Sequence, residues 1–244
     1  MRRIRVASHV HSEWSYDGRW SLERISNAFG RRGYDAVLLA EHDRGFDPAR
    51  WADYRAACAA VTGGARLVPG IEYSDADNSV HVPVWGDISF LGEGLETAEL
   101  LVSAERAGGV AVLAHPGRRD VGRRFDPALL RHLAGIEIWN RKYDGYAPNR
   151  AAGEIVRARP ALIPMVSLDF HTARQFHPLA MVVQIAGDLT EESICEALRA
   201  GRARPTAFRL PATTLARAPA WQAMRTAELV RKRVARRARL LVQS

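Results

Sequence analysis

The segment IRVASHVHS, residues 4–12, joins an apolar run to two histidines, and the same combination recurs along the chain. Six of the eight histidines stand in or at the end of apolar, strand-like runs. They are His9, His11, His42, His81, His115 and His171. Histidine is the commonest metal ligand among side chains, and scattered structural histidines would not recur at the same point of successive strands. The pattern predicts a metal centre at strand ends.

Strand-like runs alternate with helical stretches along most of the chain. Strands are expected at residues 4–9, 36–40, 66–72, 80–85, 110–114, 136–139, 162–169 and 180–185. Helices are expected at residues 21–30, 47–63, 95–107, 126–135 and 149–158, and after Thr190. Buried strands that alternate with helices indicate an α/β fold with a parallel sheet. About seven such units predict a closed or nearly closed TIM-like barrel, with the chemistry at the C-terminal ends of the strands. A doubly wound open sheet is the alternative, but no glycine-rich phosphate loop supports it.

The composition is that of a soluble globular protein. The chain has 244 residues, of which 47% are apolar and 25% charged, enough for one large domain or two small ones. No apolar run reaches the roughly 18 residues that a membrane span needs. The N-terminal residues are expected to lead directly into a strand, so no signal peptide is expected. Cys58 and Cys195 lie far apart and are expected to be reduced thiols, which favours a cytoplasmic protein.

The net charge of +8 is concentrated at the C-terminus. Residues 199–244 hold 12 basic side chains and one acid, Glu228, which gives 12 − 1 = +11. Residues 1–198 hold 23 basic and 26 acidic side chains, which gives 23 − 26 = −3. A helix is predicted over 220–241. We therefore expect a barrel over 1–211 and a basic helical extension over 212–244, packed on the barrel; contact with nucleic acid or another anionic surface is the alternative.

The candidate ligands are all nitrogen or oxygen donors. His9 and His11 are expected on one side of a strand, because side chains in a strand repeat with period two, and the same holds for Asp169 and His171. The full set is His9, His11, Asp17, His42, Glu72, His81, His115, Asp169 and His171. This exceeds what one ion uses, since zinc usually takes four ligands. Two or three divalent ions are therefore expected, and mixed imidazole and carboxylate donors suit Mn²⁺, Zn²⁺ or Fe²⁺.

Short motifs carry these ligands in a characteristic order. They are HVHS at residues 9–12, DG at 17–18, EHD at 41–43, GIE at 70–72, His81, AHP at 114–116 and DFH at 169–171. In this order they resemble the polymerase-and-histidinol-phosphatase (PHP) superfamily, over about residues 4–172. The resemblance implies a distorted seven-stranded (β/α) barrel that holds three divalent ions.

The resemblance also implies how the ligands are shared. One ion would be held by His9, His11, Glu72 and Asp169; a second by Glu72, His81 and His115; the third by Asp17, His42 and His171. The superfamily often has threonine and aspartate where this chain has Ala40 and Glu41. Glu41 is expected to take the same supporting role. Asp43 is expected to orient His42, and Glu137 to be a buried, hydrogen-bonded acid rather than a ligand.

Basic and polar residues follow several of the motifs and are expected on the rim where substrate binds. The candidate substrate-binding residues are Arg19, Arg44, Arg118, Arg119, Asn140 and Arg141, with Lys142 beside them. Arginine favours bidentate contacts with phosphate, and a merely solvated rim is the alternative. His132 and His177 are expected to be structural or surface residues.

Metal-dependent hydrolysis of a phosphate ester is the function that these features favour. Three divalent ions bring +6, and Asp17, Glu72 and Asp169 return −3, so a phosphomonoester dianion would be attracted and attacked by metal-activated water. A small-molecule phosphomonoester is preferred, either like histidinol phosphate or a nucleotide. A nuclease or cyclic phosphodiesterase is the alternative. A non-catalytic metal-binding interaction module is the third possibility, although such a module would not need all nine ligands. The sequence does not indicate an oligomeric state.

Overall fold

The computed structural model describes residues 1–121, 125–215 and 219–242. Its strands are β1 (Arg2–Val10), β2 (Ala36–Leu39), β3 (Glu41–His42), β4 (Arg66–Val68), β5 (Gly70–Ser74), β6 (His81–Trp85), β7 (Val110–Leu113), β8 (Gly135–Asn140), β9 (Ile163–Ser167), β10 (Leu179–Ile185), β11 (Ala203–Ala207) and β12 (Leu210–Pro211). Its helices are α1 (Leu22–Gly30), α2 (Trp51–Ala60), α3 (Thr97–Arg106), α4 (Arg150–Ala158), α5 (Glu191–Arg199), α6 (Ala212–Leu215) and α7 (Pro219–Val242).

The strands form two six-stranded sheets, ordered β12-β11-β10-β1-β2-β4 and β3-β5-β6-β7-β8-β9. The sheets meet at the end of β1, where Val10 pairs in parallel with Phe170 and accepts a 2.9 Å hydrogen bond from the Ala40 amide. The predicted α/β class is confirmed. The single strand expected at 66–72 is instead two strands in different sheets, because Pro69 between them has no amide with which to continue a ladder.

The expectation of a parallel sheet is only partly met. β1–β2, β2–β4, β3–β5, β7–β8 and β8–β9 are parallel. β5–β6, β6–β7, β1–β10 and β10–β11 are antiparallel. Residues 75–80 are the only link between β5 and β6, and a parallel pair would need a crossover of a dozen or more residues. This antiparallel turn brings His81 back beside Glu72.

Helix starts follow the predicted capping residues. Ser21 accepts a hydrogen bond from the Arg24 amide at the start of α1, and Thr190 forms a capping box with Ser193 at the start of α5. The helix expected at 126–135 is wrong: this segment contains only a 3-10 helix, Pro127–His132, capped by Asp126. The helix cannot extend to residue 135, because β8 begins at Gly135.

Trp85, the last residue of β6, connects the two sheets through a contact with the end of β2. Its side chain is 1% exposed, and its indole N–H donates to the Leu39 carbonyl at 2.5 Å. A Cβ on Gly70 would lie 2.3 Å from Trp85 Cδ1, so only glycine admits the indole at this position. The contact fixes β5, and with it Glu72 two residues further on.

The predicted C-terminal helix is confirmed as α7. Its Trp221 ring packs 5.7 Å from the rings of both Trp139 and Phe208, measured between centroids. Residues 216–218 and 243–244 of the expected extension lie outside the described residues, and the division at residue 211 stays a prediction. Among the helices that the structure describes, none combines the length and apolar character that a bilayer span requires.

Candidate metal centre

The nine candidate ligands come from both sheets and converge at one place. His9 and His11 stand at the end of β1, His42 ends β3, and Glu72 lies in β5. His81 begins β6, His115 follows β7, Asp169 and His171 follow β9, and Asp17 lies in the loop after β1. Contacts between their side chains, described below, connect all nine into a single cluster.

Glu72 is the centre of this cluster and is 1% exposed. Its Oε1 lies 3.1 Å from His9 Nε2, 2.9 Å from His81 Nδ1 and 3.1 Å from His115 Nε2. Its Oε2 lies 3.2 Å from His42 Nδ1. Burial alone would raise the pKa of Glu72, but the surrounding imidazoles, His9 first, hold this pKa well below its usual range.

Three compact groups within the cluster have the dimensions of ion sites. In each group, one ligand atom per residue lies within 4.8 Å of all the others. The groups are His11, Asp17, His42 and His171; His9, Glu72 and His115; and His9, His11 and Asp169. The sharing implied by the resemblance is similar, because Asp17, His42 and His171 again fall together. His81 stands beside Glu72 but outside the three groups.

Several buried ligand atoms make no hydrogen bond among the described residues, although His9 Nε2 lies 3.1 Å from Glu72 Oε1 and His42 Nε2 lies 3.3 Å from Asp17 Oδ1. They are His9 Nε2, His11 Nε2, His42 Nε2, His115 Nδ1 and Asp17 Oδ1. Buried polar atoms are nearly always hydrogen-bonded, so this concentration of unpartnered atoms in one cluster requires an explanation. Imidazole nitrogens and carboxylate oxygens without partners are what divalent ions of the Zn²⁺ or Mn²⁺ type bind. The donor set therefore fits two or three such ions.

Three of the ligands adopt a backbone conformation that is rare for residues other than glycine. His9 has φ 61°, His115 has φ 27° and Asp169 has φ 47°. Such conformations cost roughly 1–3 kcal/mol each and cluster at functional sites. His9 and His11 do lie close together, with their ring centroids 5.1 Å apart. Regular period-two alternation does not describe this segment, however, because β1 is irregular between Ser8 and Val10 and His9 has a positive φ.

Glu137 supports the cluster from behind, as its predicted role of a buried, hydrogen-bonded acid requires. Its Oε1 lies 2.8 Å from His9 Nδ1, which directs His9 Nε2 toward Glu72. Its Oε2 accepts hydrogen bonds of 2.8 Å from the His115 amide and from Asn140 Nδ2. Asn140 is fully buried in this arrangement, so it lies behind the ligands instead of on the substrate rim.

Glu41 organises the loop that carries Asp17. Its carboxylate accepts hydrogen bonds from Ser12 Oγ at 2.7 Å, from Ser15 Oγ at 2.6 Å and from Tyr54 OH at 3.3 Å. Ser15 Oγ in turn lies 3.3 Å from His11 Nδ1. Glu41 thus supports the cluster indirectly, by holding Ser12 and Ser15. The sequence did not predict this role for the two serines, although each lies within four residues of a candidate ligand.

Asp43 has a different role from the expected one. Its carboxylate accepts hydrogen bonds from the backbone amides of Ser74, Gly94 and Arg44 at 3.1, 3.3 and 2.9 Å. Both ring nitrogens of His42 instead lie against Asp17 and Glu72, at 3.3 and 3.2 Å. Asp43 therefore fixes the loops that border the cluster and not the His42 ring.

A cavity of about 200 Å³ opens over the cluster. Six candidate ligands line it together with Tyr16, Arg44, Ser74, Asn78, Arg118, Lys142 and Tyr143. Lys142 Nζ donates to Asp169 Oδ1 at 3.0 Å, and the Tyr143 ring lies 4.5 Å from the His115 ring. The Tyr16 ring stacks on His42 at 4.9 Å. No sequence signal pointed to these tyrosines, because an aromatic residue in a loop is common without any role.

Three of the predicted substrate arginines hold the loop of residues 75–79. Arg44 and Arg118 line the cavity, but each also donates to carbonyls of this loop, to Asp75 O at 2.9 Å and to Asn78 O at 2.6 Å. Arg119 donates to Asn78 O at 3.2 Å from outside the cavity lining.

Arg19 and Arg141 do not line the cavity. Arg19 is exposed, and Arg141 lies 4.3 Å over the Tyr146 ring. Two histidines predicted to be structural or surface residues lie outside the cluster: His132 Nδ1 is 2.7 Å from Glu105, and the His177 ring packs 5.2 Å from Phe208. Of the rim residues considered, Lys142, Arg44 and Arg118 are therefore the ones placed to meet a ligand.

Neither a protein-family model nor a curated protein sequence matches this chain. Solved structures do match it. A two-domain protein from Bacteroides vulgatus that contains a predicted PHP-like metal-dependent phosphoesterase aligns with 84% of this chain at 20% identity and a TM-score of 0.63. PsfC from Pseudomonas syringae PB-5123 aligns with 93% of this chain and 98% of its own length, at 19% identity and a TM-score of 0.63.

A third similar structure is the lesion-specific endonuclease PfuEndoQ from Pyrococcus furiosus, which aligns with 82% of this chain at 13% identity and a TM-score of 0.57. The chain spans only 65% of the Bacteroides protein and 56% of the Pyrococcus protein. At these identities the likeness concerns the fold. The chain therefore has the fold of the PHP-like metal-dependent phosphoesterases, as the motifs at the strand ends predicted.

Proposed function

We propose that this chain is a hydrolase of the PHP superfamily that cleaves a phosphate ester with two or three divalent ions. One observation carries the proposal: imidazoles from both sheets, several with a ring nitrogen that makes no hydrogen bond, surround Glu72 at the floor of a cavity with cationic walls. The residues that would hold the ions are His9, His11, Asp17, His42, Glu72, His81, His115, Asp169 and His171. When bound, Mn²⁺, Zn²⁺ or Fe²⁺ supplies Lewis-acid polarisation of the phosphoryl group and lowers the pKa of coordinated water.

The protein's own contribution is to bind and orient the phosphoryl group. Lys142, Arg44 and Arg118 approach the cavity from different loops, and their charges attract an anion. Glu137 holds the His9 imidazole directly, and Glu41 holds Ser15, which contacts the His11 imidazole; both arrangements limit reorganisation when substrate binds. A cavity of about 200 Å³ accommodates a phosphoryl group and a small leaving group. These features favour a small-molecule phosphomonoester over nucleic acid.

Removal and return of metal tests this proposal. We expect the chelator-treated protein to lose hydrolysis of phosphate esters, and Mn²⁺, Zn²⁺ or Fe²⁺ to restore it, because Lys142, Arg44 and Arg118 supply positive charge but cannot lower the pKa of an attacking water. The panel should contain p-nitrophenyl phosphate, histidinol phosphate, mononucleotides, bis(p-nitrophenyl) phosphate, a cyclic nucleotide and single-stranded DNA and RNA. Turnover of monoesters should exceed that of diesters.

Other results of the same panel would contradict the proposal. Full turnover after chelation would contradict the metal requirement. Preferential cleavage of single-stranded DNA or RNA, weakened by deletion of residues 212–244, would favour a nuclease. Metal binding without turnover of any ester would favour a non-catalytic module.

Lys142→Ala tests the anion-binding role of the cavity wall. We expect KM for the best substrate to rise about 10- to 100-fold, because a hydrogen bond to a charged group contributes about 1.5–3 kcal/mol. Lys142→Arg should restore part of the affinity. Metal content is measured in each variant, because Lys142 also contacts the candidate ligand Asp169. The matched control is Arg141→Ala, since Arg141 precedes Lys142 but does not line the cavity. An unchanged KM in Lys142→Ala would show that this amine does not meet the substrate.

A further inference from the structure

Glu228 is an unusual residue in the C-terminal segment. It is the only acid among 12 basic side chains in residues 199–244, and it is 5% exposed although it lies on a helix that displays charge. Arg231 donates to both of its carboxylate oxygens at 2.8 Å, while the Arg231 side chain itself remains 66% exposed. Burial of a carboxylate is costly even when it is paired. A charged residue that only kept the helix soluble would be exposed, so the burial of Glu228 needs another explanation.

Glu228 packs directly on the backbone of the loop after β8, residues 141–149. A Cβ on Gly145 would lie 2.6 Å from Glu228 Cγ, and Gly145 also has φ +77°. Only glycine allows the helix to approach so closely with this backbone conformation. A second contact reaches the same residue, because Trp221 packs against Trp139, whose indole N–H donates to the Gly145 carbonyl at 3.1 Å.

The other side of this loop lines the cavity. Lys142 and Tyr143 both face the cluster, and their amides donate to Asn140 Oδ1 at 3.0 and 3.1 Å. Asp144 closes the turn: its amide donates to the Asn140 carbonyl at 2.8 Å, and its carboxylate accepts from the Asn140 amide at 2.8 Å. These bonds tie the turn together, so we expect a displacement of Gly145 to move Lys142, three residues away.

We propose that α7 is a brace for the substrate cavity, in which Glu228 and Trp221 are positioning residues for Lys142 and Tyr143. The helix presses on the outer side of residues 141–149 and thereby sets where the Lys142 amine and the Tyr143 ring stand over the cluster. Its role toward substrate rests on the proposed function, but its hold on the loop does not. The basic extension thus contributes to the cavity of its own chain without a nucleic-acid partner.

Glu228→Ala in the full chain tests the brace with two readouts. We expect hydrogen exchange of peptides covering 141–149 to be about fivefold faster, since the loop loses its packing partner. Exchange over 75–80, a loop beside the cavity that Arg44 and Arg118 hold, should be unchanged. The affinity of the Mn²⁺-loaded protein for inorganic phosphate should fall about threefold to tenfold, because the amine is no longer held in place. Manganese content should not change.

Matched variants separate positioning from general stability. Glu228→Gln keeps the shape and a hydrogen bond to Arg231, and it should recover most of both parental values. Val230→Ala removes an exposed side chain of the same helix and should match the parent in both readouts. Trp221→Phe, which keeps an aromatic ring against Trp139, should show a weaker form of the Glu228→Ala result. If Glu228→Ala does not fold, the two readouts of Trp221→Phe test the brace in its place.

Several outcomes would overturn the brace. They are parental exchange at 141–149, equal acceleration at 75–80, or faster exchange at 141–149 with unchanged phosphate affinity. A failure of the proposed function is distinguishable from these, because it would appear as absent ester turnover in the parent protein while the exchange result still decides whether α7 holds the loop.

Discussion

Replacement of Glu72 by glutamine is expected to strip the protein of bound metal and to lower phosphate-ester turnover by about 100-fold or more. This carboxylate is within 3.6 Å of nitrogens from five imidazoles, those of His9, His11, His42, His81 and His115. A neutral amide has almost the same shape, but it removes the negative charge that several cations would share. Metal content per chain and turnover of the best ester measure the effect.

Two controls define what the Glu72 result means. Glu137→Gln changes an acid that touches His9 from behind, so its metal affinity should fall only about 10- to 100-fold. His132→Ala removes a histidine that pairs with Glu105 outside the cluster and should leave metal content and turnover at parental values. Retention of a full metal complement by Glu72→Gln would contradict the ligand assignment at its centre.

The fold class and the cluster were predictable because their signals are local and periodic. Buried strands alternate with helices, and the histidines stand where those strands end, so the topology brings them together without detailed knowledge of packing. Whether neighbouring strands pair in parallel or antiparallel was harder to predict from the sequence. The strand at residues 81–85 has no feature that distinguishes a parallel from an antiparallel partner; the shortness of residues 75–80 was the available signal.

The backbone at the ligands was not predictable from strand periodicity. His9, His115 and Asp169 adopt positive φ angles, which histidine and aspartate tolerate better than most residues other than glycine, but strand periodicity does not indicate where such an angle occurs. Glu137 could be recognised as a buried acid, but its partner His9 lies 128 residues away. Contacts of such separation depend on the complete fold.

The rim was the least predictable part of the site. Arg44, Arg118 and Arg119 all follow ligand motifs, and the sequence cannot tell whether a guanidinium meets a phosphate or a carbonyl. In the structure all three hold residues 75–79. Arginine has five donors, so Arg44 and Arg118 can hold this loop and still direct remaining N–H groups into the cavity. One residue can thus support the loop and contact a ligand.

Glu41→Ala is expected to lower the free energy of unfolding of the metal-free protein by about 3 kcal/mol, because buried donors lose their only charged acceptor. Ser12, Ser15 and Tyr54 all donate to this fully buried carboxylate. Denaturant unfolding after chelation measures the change without a contribution from metal. Glu13→Ala, an exposed acid in the same loop, is the matched control and should unfold at the parental midpoint.

The same substitution also tests whether Glu41 acts on the metal centre. Ser15 connects Glu41 to His11 Nδ1, and it also accepts a 3.1 Å hydrogen bond from the His42 amide. Release of Ser15 should therefore loosen both histidines and weaken metal binding about tenfold, beyond the loss of stability. Glu41→Asp keeps the carboxylate on a shorter side chain, which should leave the serines out of reach and give an intermediate result. Equal metal affinity in the parent and in Glu41→Ala would restrict Glu41 to folding, since a residue that positions ligands must change their affinity when it is removed.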